Sequence, residues 1–199
     1  MKTEIEVKFL NIDIDAMRQT LKAAGALLEQ PMRLMRRVLI EEPHHRDNRS
    51  FIRVRDQGDK ITLTYKQRSK GSSAIDDTTE IEVDVSDFEN TVEIFRQAGW
   101  PPVTYQENRR ETWMLDGAEV VIDEWPWMQP QIEIEGDSEA IIKEVAQKLG
   151  LDWADAFYGH IDDAYQMEYT FKPGFRGIIE LADVRFENPV PAQMTKGSK

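Results

Sequence analysis

The stretch that decides the fold is Thr3-Glu4-Ile5-Glu6-Val7-Lys8-Phe9, near the start of the 199-residue sequence. Side chains alternate between the two faces of a β-strand, so Glu4, Glu6 and Lys8 share one face and the apolar residues share the other. Two carboxylates two positions apart lie roughly 7 Å from each other. Their repulsion is on the order of 2 kcal/mol at an effective dielectric constant of about 20, and well under 1 kcal/mol in open water. The pair is therefore tolerated on a wet surface but unfavourable in a recess, unless a cation lies between the carboxylates.

The composition excludes several classes of function. The net charge of −12 at pH 7 argues against a nucleic-acid duplex or an anionic membrane as the main partner. The sequence has no cysteine, which excludes disulfides, thiolate nucleophiles and cysteine-based metal centres. It has only three histidines, so carboxylates are the expected ligands of any metal. No apolar run approaches membrane-spanning length, and we expect no signal peptide, no anchor and a cytoplasmic location.

A strand followed by a helix occurs three times in the sequence pattern. Residues 79–83 repeat residues 3–7 letter for letter, and residues 131–135 (Gln-Ile-Glu-Ile-Glu) are a looser third copy. Each copy precedes an amphipathic segment that begins at an Asp or Ser and ends at a glycine, and Ser86 is the predicted cap of the second helix. More alternating strands lie between the copies, joined by polar loops at 41–50 and 67–77. The pattern predicts an α+β chain and suggests two related halves, with chance identity as the alternative.

The polar faces of the predicted strands are sorted by charge. Glutamates occur in i, i+2 pairs on three strands, and an arginine pair lies on a hairpin between them. An antiparallel sheet with one wet face is the commoner arrangement, but its polar face mixes signs. Sorted charges favour a face that surrounds a metal ion bound to a polyanion, because hard cations prefer carboxylates and phosphates prefer arginine and lysine. A closed barrel with this face inward would provide both kinds of ligand and remove the sheet edges.

The order of these motifs resembles the CYTH superfamily, the triphosphate tunnel metalloenzymes. Glu4-x-Glu6-x-Lys8 is similar to the ExExK signature of that family, and the resemblance extends in order over roughly residues 3 to 165. The further matching segments are Phe51-Ile52-Arg53-Val54-Arg55, Leu63-Thr64-Tyr65-Lys66, Glu80-Ile81-Glu82, Arg110-Glu111-Thr112-Trp113, and Asp123 with Glu133-Ile134-Glu135. The resemblance implies an α+β fold with a closed eight-stranded antiparallel β-barrel, or tunnel, and helices packed outside. The implied domain spans residues 1–170, followed by a partly ordered C-terminal extension at 171–199.

The resemblance also implies roles for individual residues. The residues expected to bind Mg²⁺ or Mn²⁺ are Glu4, Glu6, Glu133 and Glu135. Further acids of the tunnel that could add metal ligands are Glu80, Glu82 and Asp123. The catalytic cations, which would hold the phosphates and offset charge during in-line transfer, are Lys8, Arg53, Arg55, Lys66 and Arg110. No other cofactor is expected.

The sequence departs from the family pattern at three places. Leu39-Ile40-Glu41-Glu42-Pro43 replaces a Tyr-Phe-Asp-Thr-like strand end, Asn108 stands where a lysine is usual, and Thr78 stands where an arginine is frequent. Up to two expected cations are therefore missing, which bears on the identity of the substrate more than on the fold. Arg36 and Arg37 could add to the basic set, but we expect them at the surface. The adjacent histidines at 44 and 45 are expected in a solvated loop.

Three classes of function remain at this stage. The first is hydrolysis of tripolyphosphate or of a nucleoside triphosphate such as ATP, ranked slightly ahead of its alternative, a class IV adenylate cyclase that converts ATP to cyclic AMP and pyrophosphate. The second is a non-catalytic module that binds polyphosphate or nucleotides. The third is a helix-backed sheet that contacts other proteins. The expected partner is a triphosphate-bearing small molecule, with no nucleic-acid duplex and no membrane, and a homodimer is left open.

Overall fold

The computed structural model describes residues 2–68 and 78–197, without the side chains of Lys2, Thr3 and Arg68. Most of the loop predicted at 67–77 lies outside these residues. The strands are β1 (Lys2–Glu4), β2 (Glu6–Leu10), β3 (Leu27–Ile40), β4 (Ser50–Asp56), β5 (Ile61–Arg68), β6 (Thr78–Val85), β7 (Thr104–Leu115), β8 (Ala118–Glu124), β9 (Gln131–Glu135), β10 (Tyr169–Phe171), β11 (Asp183–Val184) and β12 (Met194–Lys196). The helices are α1 (Ile14–Ala23), α2 (Pro43–Asp47), α3 (Phe88–Gln97), α4 (Glu139–Lys148) and α5 (Ile161–Glu168), with 3₁₀ turns at Trp153–Asp155 and Ile178–Glu180.

Nine of these strands form one curled antiparallel sheet, in the order β1-β6-β5-β4-β3-β7-β8-β9-β2. β1 and β2 are two parts of one N-terminal strand that is interrupted at Ile5, so the sheet has eight long strands. β1 pairs with β6, with Thr3 opposite Thr79, and β2 pairs with β9, with Lys8 opposite Glu133. The N-terminal strand therefore contacts both ends of the sheet.

The prediction of a closed barrel is confirmed in part. The chain is α+β and its sheet is antiparallel and eight-stranded, but the sheet forms a curled half-barrel and is not fully closed. β1 pairs with only three residues of β6. In the described part of the chain, no strand pairs with the remaining residues 81–85 on that side. The cause is the interruption at Ile5, after which the N-terminal strand leaves β6 and pairs with β9.

The two exact sequence copies occupy equivalent places in the fold. Each begins a run of strand, helix and three further strands, and β3 of the first run pairs with β7 of the second. Asp13 caps α1 and Asp87 caps α3, each by accepting a hydrogen bond from the backbone N–H three residues later. The prediction of Ser86 as the second cap is wrong by one residue. The repeated order agrees with two related halves.

The largest core lies between the second half of the sheet and the helices α1 and α4. The outward faces of β2, β7, β8 and β9 supply most of its sheet residues, as the alternation pattern predicted. Its fully buried members include Val7, Leu21, Val120, Ile122, Ile132, Ile134 and Ile142. Because this core fixes the outward face of each strand, the opposite residues must point into the concave side of the sheet.

The chain after residue 156 packs at one end of the sheet. β11 pairs in parallel with the beginning of β7, and β10 pairs with β12. The Tyr165 hydroxyl donates a hydrogen bond of 2.7 Å to the carbonyl of Pro126, and Tyr169 donates one of 2.6 Å to the carbonyl of Trp127. Trp125 is buried in this cluster. The domain boundary at residue 170 stays a prediction. None of the described helices has the length and apolarity needed to cross a membrane.

Helix α1 is fastened to β7 by an ion pair that yields a stability prediction. Arg18 donates to Glu111 through Nε at 3.0 Å and Nη2 at 2.7 Å, and Trp113 Nε1 donates to the same carboxylate at 2.7 Å. Glu111 is 4% exposed.

Arg18→Met leaves this buried carboxylate without its cation, so we expect a loss of roughly 2–3 kcal/mol in the free energy of unfolding, measured by urea denaturation. Arg96→Met, which breaks an exposed pair with Glu93, should cost under about 1 kcal/mol. Equal losses in the two variants would contradict the prediction.

Candidate metal and phosphate site

The concave face of the sheet encloses a cavity of about 760 Å³. That volume is in the range of small-molecule sites. The structure brings every site residue predicted from the sequence to its wall: Glu4, Glu6, Lys8, Arg53, Arg55, Lys66, Glu80, Glu82, Arg110, Asp123, Glu133 and Glu135. The sorting of charges by strand therefore reflects residues that face one another across a common space.

Three glutamates form an acidic triad in this cavity. Carboxylate oxygens of Glu4, Glu6 and Glu135 all lie within 4.8 Å of one another. Glu4 and Glu6 flank the interruption of the N-terminal strand, and β9 places Glu135 directly opposite Glu6. Oxygen atoms from three carboxylates on rigid strands are the ligand set that hard divalent cations prefer. The donor set of the triad therefore fits Mg²⁺ or Mn²⁺.

Glu133 is not a member of the triad, and it is paired with two cations. Its carboxylate is 2.9 Å from Lys8 Nζ and 3.7 Å from Arg110 Nη2. Burial alone would raise the pKa of Glu133, but the charges of Lys8 and Arg110 outweigh burial and lower it to about 2. Glu133 is therefore ionised at neutral pH, and its charge is already neutralised. Its predicted role as a metal ligand stays a prediction.

The two lysines of the cavity join the acids to the basic wall. Lys8 Nζ lies 2.5 Å from Glu6 and 2.9 Å from Glu133. Lys66 Nζ lies 2.7 Å from Glu4 and 3.5 Å from Glu80. Burial opposes the charge of Lys8, but the two nearby carboxylates raise its pKa above the ordinary lysine value. Both lysines contact a member of the triad, so they can bridge a metal-bound ligand and the protein.

Arg110 is held by a two-point contact with Asp123. Its Nε and Nη2 donate to the two carboxylate oxygens at 2.8 and 2.5 Å, and Asn108 Nδ2 donates to the same carboxylate at 3.2 Å. Asp123 is 1% exposed. The carboxylate therefore orients Arg110 towards the cavity and shares in neutralising it.

Arg53 and Arg55 carry charge that the protein does not fully balance. Arg53 is buried, and its nearest contacts are Thr64 at 3.3 Å and Glu82 at 3.5 Å. The Nε atoms of both arginines are buried without a hydrogen-bond partner. Burial first, and then the charge of Arg53, lower the pKa of Arg55 well below its ordinary value. Buried guanidinium groups with unsatisfied donors are binding groups for an anion.

Sequence reasoning missed Arg37, which was expected at the surface and is buried in the cavity wall. The available signal was its register, since Arg33, Met35 and Leu39 share its face of β3 and two of these are buried. The prediction of a solvated His44-His45 loop is wrong for His45. This residue is 4% exposed, and its Nδ1 accepts a hydrogen bond of 3.0 Å from the backbone of Glu42 at the start of α2.

Asp162 lies in the cavity wall at the end covered by the C-terminal segment. It lies in the first turn of α5 and accepts a hydrogen bond of 2.6 Å from the backbone N–H of Ile178. Burial raises its pKa to about 6, against the opposing effects of that hydrogen bond and of Arg37. A carboxyl group whose pKa is higher in the folded protein than in the unfolded chain makes the fold less stable as the pH rises. For Asp162 this loss occurs between the unfolded pKa, near 4, and the folded pKa, near 6.

This pKa shift predicts that Asp162→Asn will stabilise the protein at neutral pH. The amide oxygen can still accept from Ile178, and the buried charge is removed. We expect a gain on the order of 1 kcal/mol at pH 8, or roughly 2–4 °C in Tm, which disappears near pH 4. Thermal unfolding of both proteins between pH 4 and 8 measures the difference. A gain that is independent of pH would contradict the prediction.

Comparison with known proteins agrees with this geometry. The family model of the CYTH domain matches residues 2–156. No protein of curated function matches the sequence.

A conserved hypothetical protein from Pyrococcus furiosus has a similar structure, with a TM-score of 0.69 and 23% identity over 81% of this chain and 99% of its own. A proposed adenylate cyclase from Vibrio parahaemolyticus has a TM-score of 0.68 and 12% identity over 83% and 98% of the two chains. A proposed adenylyl cyclase from Hippeastrum, described as having a dominant triphosphatase activity, has a TM-score of 0.53 and 16% identity over 78% and 90%.

The curled sheet, with acids and cations facing one cavity, is consistent with the CYTH fold that the sequence motifs indicated. The family match covers well over half of the residues. The chain therefore belongs to the CYTH domain family.

Proposed function

We propose that this protein hydrolyses a phosphoanhydride bond of tripolyphosphate or of a nucleoside triphosphate such as ATP, with Mg²⁺ or Mn²⁺. The observation that carries the proposal is one cavity in which the triad of Glu4, Glu6 and Glu135 faces the buried, incompletely balanced Arg53 and Arg55. A triphosphate with a divalent cation carries both signs of charge and matches both walls.

The cations of the cavity act as the phosphate-binding groups. Arg53 and Arg55 offer unsatisfied N–H donors, and Arg110 is aimed by Asp123. Lys8 and Lys66 exchange part of their carboxylate contacts for phosphate oxygens. Phosphoryl transfer passes through a loose transition state, so fixed positive charge around the equatorial oxygens supplies much of the rate enhancement.

The acids hold the divalent cation and its surroundings. Glu4, Glu6 and Glu135 are the ligands that the geometry favours, with Glu80 and Glu82 on the adjoining strand as further acids. A bound divalent cation would neutralise phosphate charge and lower the pKa of a bound water. Glu133, ionised and paired with Lys8, keeps that lysine oriented towards the substrate.

Hydrolysis is ranked ahead of cyclisation because of the missing cations. Asn108 and Thr78 replace two of the basic residues expected in the cyclase-like branch. The protein from Hippeastrum shows that a chain of this fold proposed as a cyclase can have dominant triphosphatase activity. Formation of cyclic AMP from ATP remains the alternative reaction for the same cavity.

Product analysis tests the proposal. The purified protein is incubated with tripolyphosphate or ATP in the presence of Mg²⁺ or Mn²⁺, and the products are separated by ion-exchange chromatography. Orthophosphate is the expected product, whereas cyclic AMP with pyrophosphate would establish the cyclase. Saturable binding without product would favour a non-catalytic module. Absence of both binding and turnover with either metal would overturn the proposed function.

A further inference from the structure

Arg37 is a buried cation that the family motifs do not include. It is 9% exposed, and its guanidinium lies 4.4 Å from the ring centre of Trp125. Its Nε and Nη2 both donate to Gln106 Oε1, at 2.9 and 2.7 Å. In the part of the chain that the structure describes, no carboxylate oxygen lies within ion-pair distance of it. The protein therefore supplies Arg37 with a neutral acceptor and an aromatic face, but with no counter-ion in contact.

Charged groups of both signs act on Arg37 from a longer distance. Burial first, and then the charge of Arg53, lower its pKa to about 9, while Asp123 and Asp162 oppose this at longer range. Arg110 adds a further like charge. A buried cation among cations is strongly unfavourable unless something offsets it. At neutral pH the guanidinium remains charged, and because it lines the cavity, an anion that enters there can offset its charge.

The register of β3 and β7 places Arg37 close to Asn108. Arg37 lies opposite Gln106, and Met35 lies opposite Asn108, so Arg37 and Asn108 are diagonal neighbours on the concave face. Diagonal side chains in a sheet are within reach of each other when one is long. Asn108 is 2% exposed, and its Oδ1 is buried with no hydrogen-bond partner. The neutral amide of Asn108 is thus a diagonal neighbour of Arg37, which itself lines the cavity.

We propose that Arg37 is a phosphate-binding residue of this chain and supplies, from β3, the positive charge that Asn108 does not supply from β7. The proposal rests on the proposed function, since the anion it names is a phosphoryl group of the triphosphate. In this arrangement Arg37, Arg53 and Arg55 contact the ligand from neighbouring strands, and Trp125 and Gln106 fix the guanidinium plane. Arg37 determines affinity for the triphosphate, with no part in holding the metal.

The test compares binding and stability in Arg37→Gln, Asn108→Lys and the double variant. Affinity for tripolyphosphate is measured by calorimetry without a divalent metal, so that no hydrolysis occurs. We expect Arg37→Gln to weaken binding at least tenfold and the double variant to recover most of this loss. Without ligand, the Tm of Arg37→Gln should equal or exceed that of the wild type, because an unbalanced buried charge has been removed. A purely structural Arg37 would instead lower the Tm.

The matched control is Arg36→Gln on the opposite face of the same strand. Arg36 pairs with Asp56 and Glu89 outside the cavity, so this change should leave the affinity within twofold of the wild type. Arg37→Lys, which retains the charge, provides a second test if the glutamine variant does not fold, and it should keep more affinity than Arg37→Met. Unchanged affinity in Arg37→Gln would overturn the proposal. If Asn108→Lys does not restore the affinity lost in Arg37→Gln, the inference that Arg37 supplies the charge missing at position 108 is wrong. If the wild type itself neither binds nor cleaves tripolyphosphate or ATP, the proposed function fails, and the role of Arg37 fails with it.

Discussion

Glu6→Gln is expected to reduce metal-supported turnover of tripolyphosphate by roughly 100-fold or more, because about 3 kcal/mol of transition-state stabilisation is lost with a metal ligand. The change keeps the shape of the side chain and removes one charge from the triad. Lys8 retains its contact with Glu133, so no buried lysine is left without a counter-ion. Steady-state kinetics at several concentrations of Mg²⁺ or Mn²⁺ measure the effect. The concentration of metal needed for half-maximal activity should rise as kcat falls.

Glu144→Gln is the matched control for this variant. Glu144 is exposed on α4, remote from the concave face. Its replacement by glutamine removes the same negative charge from the molecule as Glu6→Gln does. Its turnover and metal dependence should equal those of the wild type. Circular dichroism and thermal unfolding should show that both variants are folded. If Glu6→Gln keeps wild-type turnover and metal dependence, the triad is not the metal site.

Arg55→Gln is expected to weaken triphosphate binding by roughly 10- to 100-fold, since hydrogen bonds to a charged partner contribute about 1.5–3 kcal/mol. Arg55 has a buried Nε without a partner, and burial together with Arg53 lowers its pKa. The ligand-free variant should therefore be at least as stable as the wild type. The KM for tripolyphosphate tests the first half of this prediction, and the Tm, measured with and without tripolyphosphate, tests the second.

Arg96→Gln controls for the general loss of positive charge. Arg96 lies on α3 in an exposed pair with Glu93 and faces solvent. We expect its KM to remain within twofold of the wild type at physiological salt, where exposed charges are screened. Comparable increases of KM in the two variants would mean that overall charge, and not a local contact, determines binding.

Much of the fold could be predicted because alternation determines which face of a strand is buried. Val7, Ile134 and their neighbours pack under α1 and α4, which forces Glu6 and Glu133 onto the concave side. The antiparallel, eight-stranded character of the sheet followed from the family resemblance. The interruption at Ile5 could not be predicted, because it depends on how one short strand divides its pairing between β6 and β9. The sheet is incompletely closed because the strand pairs with only part of β6.

The sequence predicted which residues share the cavity. It could not predict which of them form ion pairs, because the pairs depend on distances across the sheet. Glu133 contacts Lys8 and Arg110 and is not part of the triad. Arg37 was overlooked because β3 carries several arginines on both faces, and only the pairing with Gln106 shows which of them points inward.

The pairing of the N-terminal strand has a consequence for the order of assembly during synthesis. Glu4 and Glu6 are made well over a hundred residues before Glu135, which completes their cluster. β2 cannot pair with β9 until β9 has left the ribosome, so β2 must until then stay unpaired or pair transiently elsewhere. Contacts between residues so distant in sequence form slowly. The exposed edge of this unpaired strand makes the nascent chain a candidate for chaperone binding, and the acidic triad cannot form before β9 is made.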